Sequence, residues 1–353
     1  MDYIEISGYK SIKNERVELR PVNILIGANG SGKSNFISFF TFLNRLYHRK
    51  LNQYIELTGG ANKILHKGIK NTRKIAFKLE FDNGTNGYAA ELTAGTDGFI
   101  FTKEYLIYNK DIKDISSNYR EAQVRFSDMY RAEYIRRYLT NLRKYHFHDT
   151  SYNSPFTYES NVKNDIYYLY GNGSNLAAFL YHIQNENKIV YNRIIKTIKS
   201  IAPYFSDFYL NPNKNGYIRL HWTDIYSDTI YGASDLSDGT MRFIALTVLF
   251  LQPELPDTII IDEPELGLHP KAIAKLSGMI KSVAEKGTQV IIATQSTGLV
   301  SHFQPEDIIT VDMINGESKF RRLSSDELSM WLEDYSLGDL WQRNIIAGGH
   351  PNF

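Results

Sequence analysis

Gly27-Ala28-Asn29-Gly30-Ser31-Gly32-Lys33-Ser34 fits the phosphate-loop pattern G-x-x-x-x-G-K-[ST] at every position. Each residue type has its own task. Glycine lets the backbone bend so that consecutive N–H groups point inward at phosphate oxygens, and the start of the next helix adds partial positive charge. Lys33 is expected to neutralise phosphate charge and Ser34 to coordinate Mg²⁺. The flanks agree: Val22-Asn23-Ile24-Leu25-Ile26 reads as a strand, and residues 35–46 carry apolar side chains at helix spacing. The order is therefore strand, loop, helix. Upstream, residues 3–6 and 17–19 are short β-branched or aliphatic runs, expected with 22–26 to open a sheet.

Toward the other end, Ile259-Ile260-Ile261-Asp262-Glu263 is an apolar run closed by two carboxylates. Ligands of open α/β sheets sit at the carboxyl ends of strands, so this fits a Walker B pattern. Asp262 is expected to hold magnesium, and Glu263 to orient and deprotonate the attacking water. A helix-like stretch, 271–285, separates this strand from Gln289-Val290-Ile291-Ile292-Ala293, making a βαβ unit. Before it, Leu236-Ser237-Asp238-Gly239-Thr240 precedes a long apolar helix that Ser237 can cap, and such a terminus binds an anion.

Composition removes other chemistries. Zero cysteines exclude disulfides, thiolate metal sites and a cysteine nucleophile. The 42% hydrophobic and 22% charged fractions are those of a folded globular chain. Lys+Arg 40 against Asp+Glu 39 leaves a net charge of +1, so any nucleic-acid partner must be held by a local patch. The longest apolar stretch, 243–251, is too short to span a bilayer, and the opening residues lack the apolar run of a signal peptide, so a cytoplasmic protein with no membrane partner is expected.

Phosphate loop, L-S-D-G-T, I-I-D-E-P-E and A-T-Q-S occur in the order found in ABC-type ATPases. The opening Tyr9-Lys10-Ser11-Ile12, the core extending to Asn35 and the absence of transporter features resemble the RecF, SMC and OLD branch. More narrowly, Tyr145-His146-Phe147-His148-Asp149-Thr150-Ser151, Leu266-Gly267-Leu268-His269-Pro270 and Trp331-Leu332-Glu333-Asp334-Tyr335 resemble a family of bacterial ATPases linked to anti-phage defence. The resemblance implies an α/β fold: an ABC-type P-loop head formed by residues 1–45 and 236–325, inserted α+β lobes at 46–235, no long coiled coil, and a C-terminal helix and tail at 326–353. It implies ATP and Mg²⁺ as ligands, with Gly27 to Asn35 at the nucleotide, and a homodimer or higher homo-oligomer through ATP-dependent head-to-tail contacts, in which Ser237 and Gly239 of one subunit meet the nucleotide of the other. His269 is then a candidate for communication between two sites, or simply a helix-entry residue before Pro270.

One departure stands out: Gln295 occupies the place of the transporter switch histidine. Glutamine relays no proton but can hydrogen-bond water or phosphate, so slow hydrolysis with nucleotide as a conformational switch is expected. His148-Asp149 is the candidate stand-in for the Q-loop glutamine, with a structural role as the alternative. The implied role is control of a separate effector such as a nuclease, in DNA repair or anti-phage defence. A non-hydrolysing ATP-bound scaffold and a transporter ATPase subunit are the alternatives. DNA or RNA is a further possible partner, because residues 45–78 hold nine Lys/Arg against Glu56 alone, and residues 120–144 interleave basic residues with Phe126, Tyr130, Tyr134 and Tyr138.

Overall fold

A computed structural model describes residues 1–95, 98–115 and 118–347; part of the expected C-terminal tail, 348–353, lies outside the described residues. The chain forms two compact units. The first holds the described residues of 1–143, 257–260 and 289–353, the second residues 144–256 and 261–288.

Two sheets build the first unit. In the nucleotide-type sheet the strand order is Glu317–Arg322, Ile308–Ile314, Val22–Ile26, Gln289–Ala293, Thr258–Asp262, Leu142–Tyr145. Val22–Ile26 is buried at all five positions and lies parallel to both neighbours, as an uninterrupted apolar strand should. The unit boundaries fall within the last two strands, after Ile260 and after Arg143.

The other sheet corrects an expectation. Tyr3–Tyr9 and Ile12–Glu18 do not join Val22–Ile26. They form an antiparallel hairpin whose first strand also pairs with Lys74–Phe81, in the order Ile12–Glu18, Tyr3–Tyr9, Lys74–Phe81, Asn86–Gly95, Gly98–Tyr108, Asp111–Asp114. Ile75, Phe77, Leu79 and Phe81 alternate inward, the period of a half-buried strand. Residues 74–114, whose texture reads as part of an insertion, thus complete a sheet with the amino terminus.

Helix Lys33–Tyr47 is buried around most of its circumference, which a helix enclosed by other layers requires. Phe39 meets Tyr9 at 5.0 Å and Phe77 at 5.7 Å, and Phe36 meets Phe320 at 5.2 Å. One core cluster joins this helix to side chains of both sheets, including Leu25, Ile291 and Val311.

The second unit contains helices Leu176–Glu186, Lys188–Lys199, Asp238–Leu251 and Pro270–Glu285 beside a small antiparallel sheet of Phe205–Phe208, His221–Asp224 and Ser227–Gly232. Asp238–Leu251 is buried continuously from Met241 to Phe250. At 16 residues, Pro270–Glu285 is the longest helix among the described residues, so they contain no long coiled coil. Among them no helix is long and apolar enough to cross a membrane.

Candidate nucleotide site

The phosphate loop is built on close backbone approach. Register pairs Thr310 with Ile26, which sets Val311 beside Gly27, and a Cβ at Gly27 would collide with the Val311 carbonyl. Gly32 has φ +114°, and a Cβ there would collide with Ser318 Oγ. Both positions need glycine on spatial grounds, and Gly32 on conformational grounds too. Lys33, only 5% exposed, folds its ammonium back onto the loop, donating to the carbonyls of Gly27 at 2.6 Å and Ala28 at 3.0 Å.

A hydroxyl network fixes the loop from behind. Ser318 Oγ donates to the Ser31 carbonyl and accepts from Ser11 Oγ, both at 2.7 Å, and Asn35 Nδ2 donates to Ser11 Oγ at 2.8 Å. Ser11 sits in the Tyr9–Ile12 turn, next to Lys10, whose φ of +48° is left-handed. Tyr9 and Lys10 both reach Ser38 Oγ, at 2.9 and 2.8 Å. The amino-terminal hairpin therefore positions the phosphate loop and its helix. In the sequence Ser11 stands out only within a family resemblance, and Ser318, a lone serine in a strand, carries no local signal.

This loop fits a polyphosphate. The first N–H groups of Lys33–Tyr47 have no acceptor within their own helix, Ser34 is exposed in its first turn, Asn29 and Gly30 are exposed at the loop crest, and the buried Ser31 hydroxyl has no hydrogen-bond partner. Gln295 belongs to the same unit. Ala293 pairs with Leu25, so two residues on, Gln295 emerges level with Gly27 at the strand ends, exposed, one strand spacing away. Ser296 then caps the short helix Thr297–Val300. Leu337–Gln342 packs on that helix so closely that a Cβ at Gly338 would strike the Thr297 carbonyl.

In the second unit, Asp262 and Glu263 are half-buried where the strand ends. Glu263 has φ +44°. A side chain there strains the backbone, a feature concentrated at functional sites. His148 Nε2 contacts the main-chain carbonyl of Asp262 at 2.8 Å. Burial lowers the pKa of nearby Lys144, with the Asp262 charge opposing. Asp149 instead accepts from Ser151.

Ser237 caps its helix, accepting from the Thr240 N–H at 3.3 Å. A Cβ at Gly239 would collide with the Gly267 carbonyl, so this glycine sets direct backbone contact with the Leu266–Leu268 turn. Arg242, missed by sequence reading as one polar residue in an apolar helix, is buried and donates to the carbonyls of Phe147 at 3.0 Å, His148 at 3.1 Å and Leu266. It fastens the helix that begins at Ser237 to the segments carrying His148 and Leu266. Burial also lowers its pKa. His269 Nδ1 accepts the Lys271 N–H at 3.2 Å and caps Pro270–Glu285, which is the helix-entry role.

Parallel strands around a glycine-constrained phosphate loop define a P-loop fold similar to that of ABC-type heads. The chain belongs to the family described as "AAA domain, putative AbiEii toxin, Type IV TA system", whose model matches residues 22–301. Its fold is similar to that of an SMC head bound to the C-winged helix domain of ScpA, with TM-score 0.60 and 17% identity over 93% of this chain and 99% of that one. It is also similar to a Pyrococcus furiosus SMC head with an extended coiled coil, bound to the C-terminal domain of ScpA, with TM-score 0.55 and 14% identity over 94% and 98%. No curated protein matches the chain significantly.

Proposed function

We propose that this chain binds and slowly hydrolyses ATP, and that the nucleotide switches it between monomeric and head-to-tail dimeric states. The observation that carries the reading is the phosphate loop itself, with Lys33 folded among its carbonyls and Gly27 and Gly32 excluding any side chain. Gly27 to Asn35 wrap the phosphates, and Lys33 neutralises their charge. Ser34 and Asp262 are the ligands proposed for Mg²⁺, which when bound screens the β- and γ-phosphate charge. Glu263 takes the proton of the attacking water. Gln295 has no proton to relay and orients water or phosphate through its amide, which suits slow turnover. Ser237 and Gly239 meet the nucleotide of the second subunit.

The family's description, a putative toxin of a toxin–antitoxin system, suits an anti-phage or DNA-repair role in which a separate effector, such as a nuclease, responds to the ATP state. Steady-state phosphate release tests the core of this reading. Lys33→Ala should abolish nucleotide binding, whereas Glu263→Gln should keep binding and stop turnover. Wild-type turnover in Glu263→Gln would remove the catalytic assignment. Sedimentation of Glu263→Gln with ATP should show the dimer, and Ser237→Arg should prevent it.

A further inference from the structure

The two basic stretches differ once their partners are known. In the first, Lys74 and Lys78 are engaged by Glu91 at 2.8 Å and Glu80 at 2.6 Å, and Lys67 lies 4.0 Å from Glu317. Carboxylates thus lie beside these three lysines. At the exposed rings of the second, arginines from both stretches gather. Phe126 is 61% exposed, with the guanidinium of Arg49 at 5.2 Å and that of Arg125 at 5.9 Å from its centroid. Tyr130 is 71% exposed and meets the exposed Tyr134 edge to face at 5.2 Å. Aromatic residues at helical spacing ordinarily face a core; here Ala132, Ile135 and Leu139 do so, and Tyr138, expected among the stacking rings, instead packs against the core by stacking on Phe81 at 4.2 Å, leaving Tyr130 and Tyr134 outside.

The rings are held on a rigid support. The Glu104 carboxylate, fully buried, accepts the N–H groups of Gln123 and Val124. Arg136 donates to the Ser127 carbonyl at 2.7 Å, tying the turn that bears Phe126 to helix Tyr130–Asn141. That helix packs on Lys33–Tyr47. The latter begins at the phosphate loop and ends just before Arg49, so about 22 Å of helix axis separates the loop from the rings.

We propose that Phe126, Tyr130 and Tyr134, flanked by Arg49 and Arg125, form a stacking platform for single-stranded nucleic acid. Exposed rings offer π-faces to unpaired bases, and guanidinium groups beside them neutralise the phosphates between those bases. A duplex hides its base faces and cannot use such a platform. The site is distinct from the nucleotide site and does not depend on turnover there.

Anisotropy of a labelled oligothymidylate of about 20 nucleotides, titrated with nucleotide-free full-length protein, tests this. Binding should weaken as salt rises, and exceed binding to a duplex of the same length. Phe126→Ala and Tyr130→Ala should each weaken it roughly 5- to 100-fold, Tyr130→Phe should retain it, and Arg49→Glu with Arg125→Glu should flatten the salt dependence. Oligouridylate in parallel separates an RNA from a DNA preference. Unchanged melting temperatures and basal ATP turnover in the ring variants would show that the fold is intact. Equal or tighter duplex binding, no salt-dependent binding at all, or full affinity in the ring variants would overturn the platform. Loss of self-association in Tyr130→Ala with oligonucleotide binding intact would reassign the surface to protein contact.

Discussion

His148 Nε2 lies 2.8 Å from the main-chain carbonyl of Asp262. A carbonyl carries no proton, so the ring donates, and Nε2 bears hydrogen whether or not Nδ1 is protonated. The contact orders the end of the strand whose next residue is Glu263, the base proposed above, and on that proposal His148 is assigned a positioning role. His148→Ala should lower kcat by about 2- to 10-fold, the worth of one hydrogen bond, with KM little changed. His148→Gln, which can present an N–H at similar reach, should recover much of the loss. A rise in KM alone would place His148 in substrate binding instead.

The left-handed φ of Glu263 yields a stability test independent of activity. Glu263→Gly and Glu263→Ala lose the same carboxylate, but only alanine keeps a Cβ in a conformation that disfavours it. After allowing for the extra freedom of unfolded glycine, Glu263→Gly should be about 0.5–1 kcal/mol more stable than Glu263→Ala in urea unfolding. Both should lack turnover. An alanine variant of equal or greater stability would show that the backbone relaxes without cost.

Ser318 offers the clearest view of how the hairpin supports the phosphate loop. Ser318→Ala removes two hydrogen bonds and leaves the Ser31 carbonyl without that donor. About 1–3 kcal/mol of stability should be lost. ATP affinity should also fall, because the loop loses a support behind Gly32. Isothermal titration beside thermal unfolding separates the effects; lowered stability with unaltered affinity would confine Ser318 to the fold.

Legibility followed locality. The phosphate loop, the Ser237 cap and the strands Thr258–Asp262 and Gln289–Ala293 are spelled out by neighbouring residues, since turn glycines, capping side chains and apolar runs act within a few positions. The pairing of Tyr3–Tyr9 with Lys74–Phe81 left no such trace, because alternation tells a strand which face is buried but not which distant strand it meets. Arg242 looked like one charge in an apolar helix; its task is visible only when three carbonyls from two loops converge on it. Glu263 could be chosen as a base from its place after the strand, yet its backbone conformation belongs to the folded chain alone.

The buried Glu104 sets a pH test. Burial raises its pKa above the ordinary 4.5, against hydrogen bonds from the Gln123 N–H, the Tyr88 hydroxyl and the Val124 N–H that favour the charged form. An acid whose folded pKa exceeds its unfolded value holds more protons in the folded state between the two. Its contribution to stability is therefore complete below about pH 4.5 and is lost as pH rises through the raised folded value. Glu104→Gln cannot titrate, so the stability of wild type minus that of the variant isolates this group. Urea unfolding from acid to neutral pH should show the difference falling as pH rises above 4.5 and then levelling. A difference that climbs with pH would mean that the three donors outweigh burial, and that Glu104 holds the turn below Phe126 as a stabilised carboxylate.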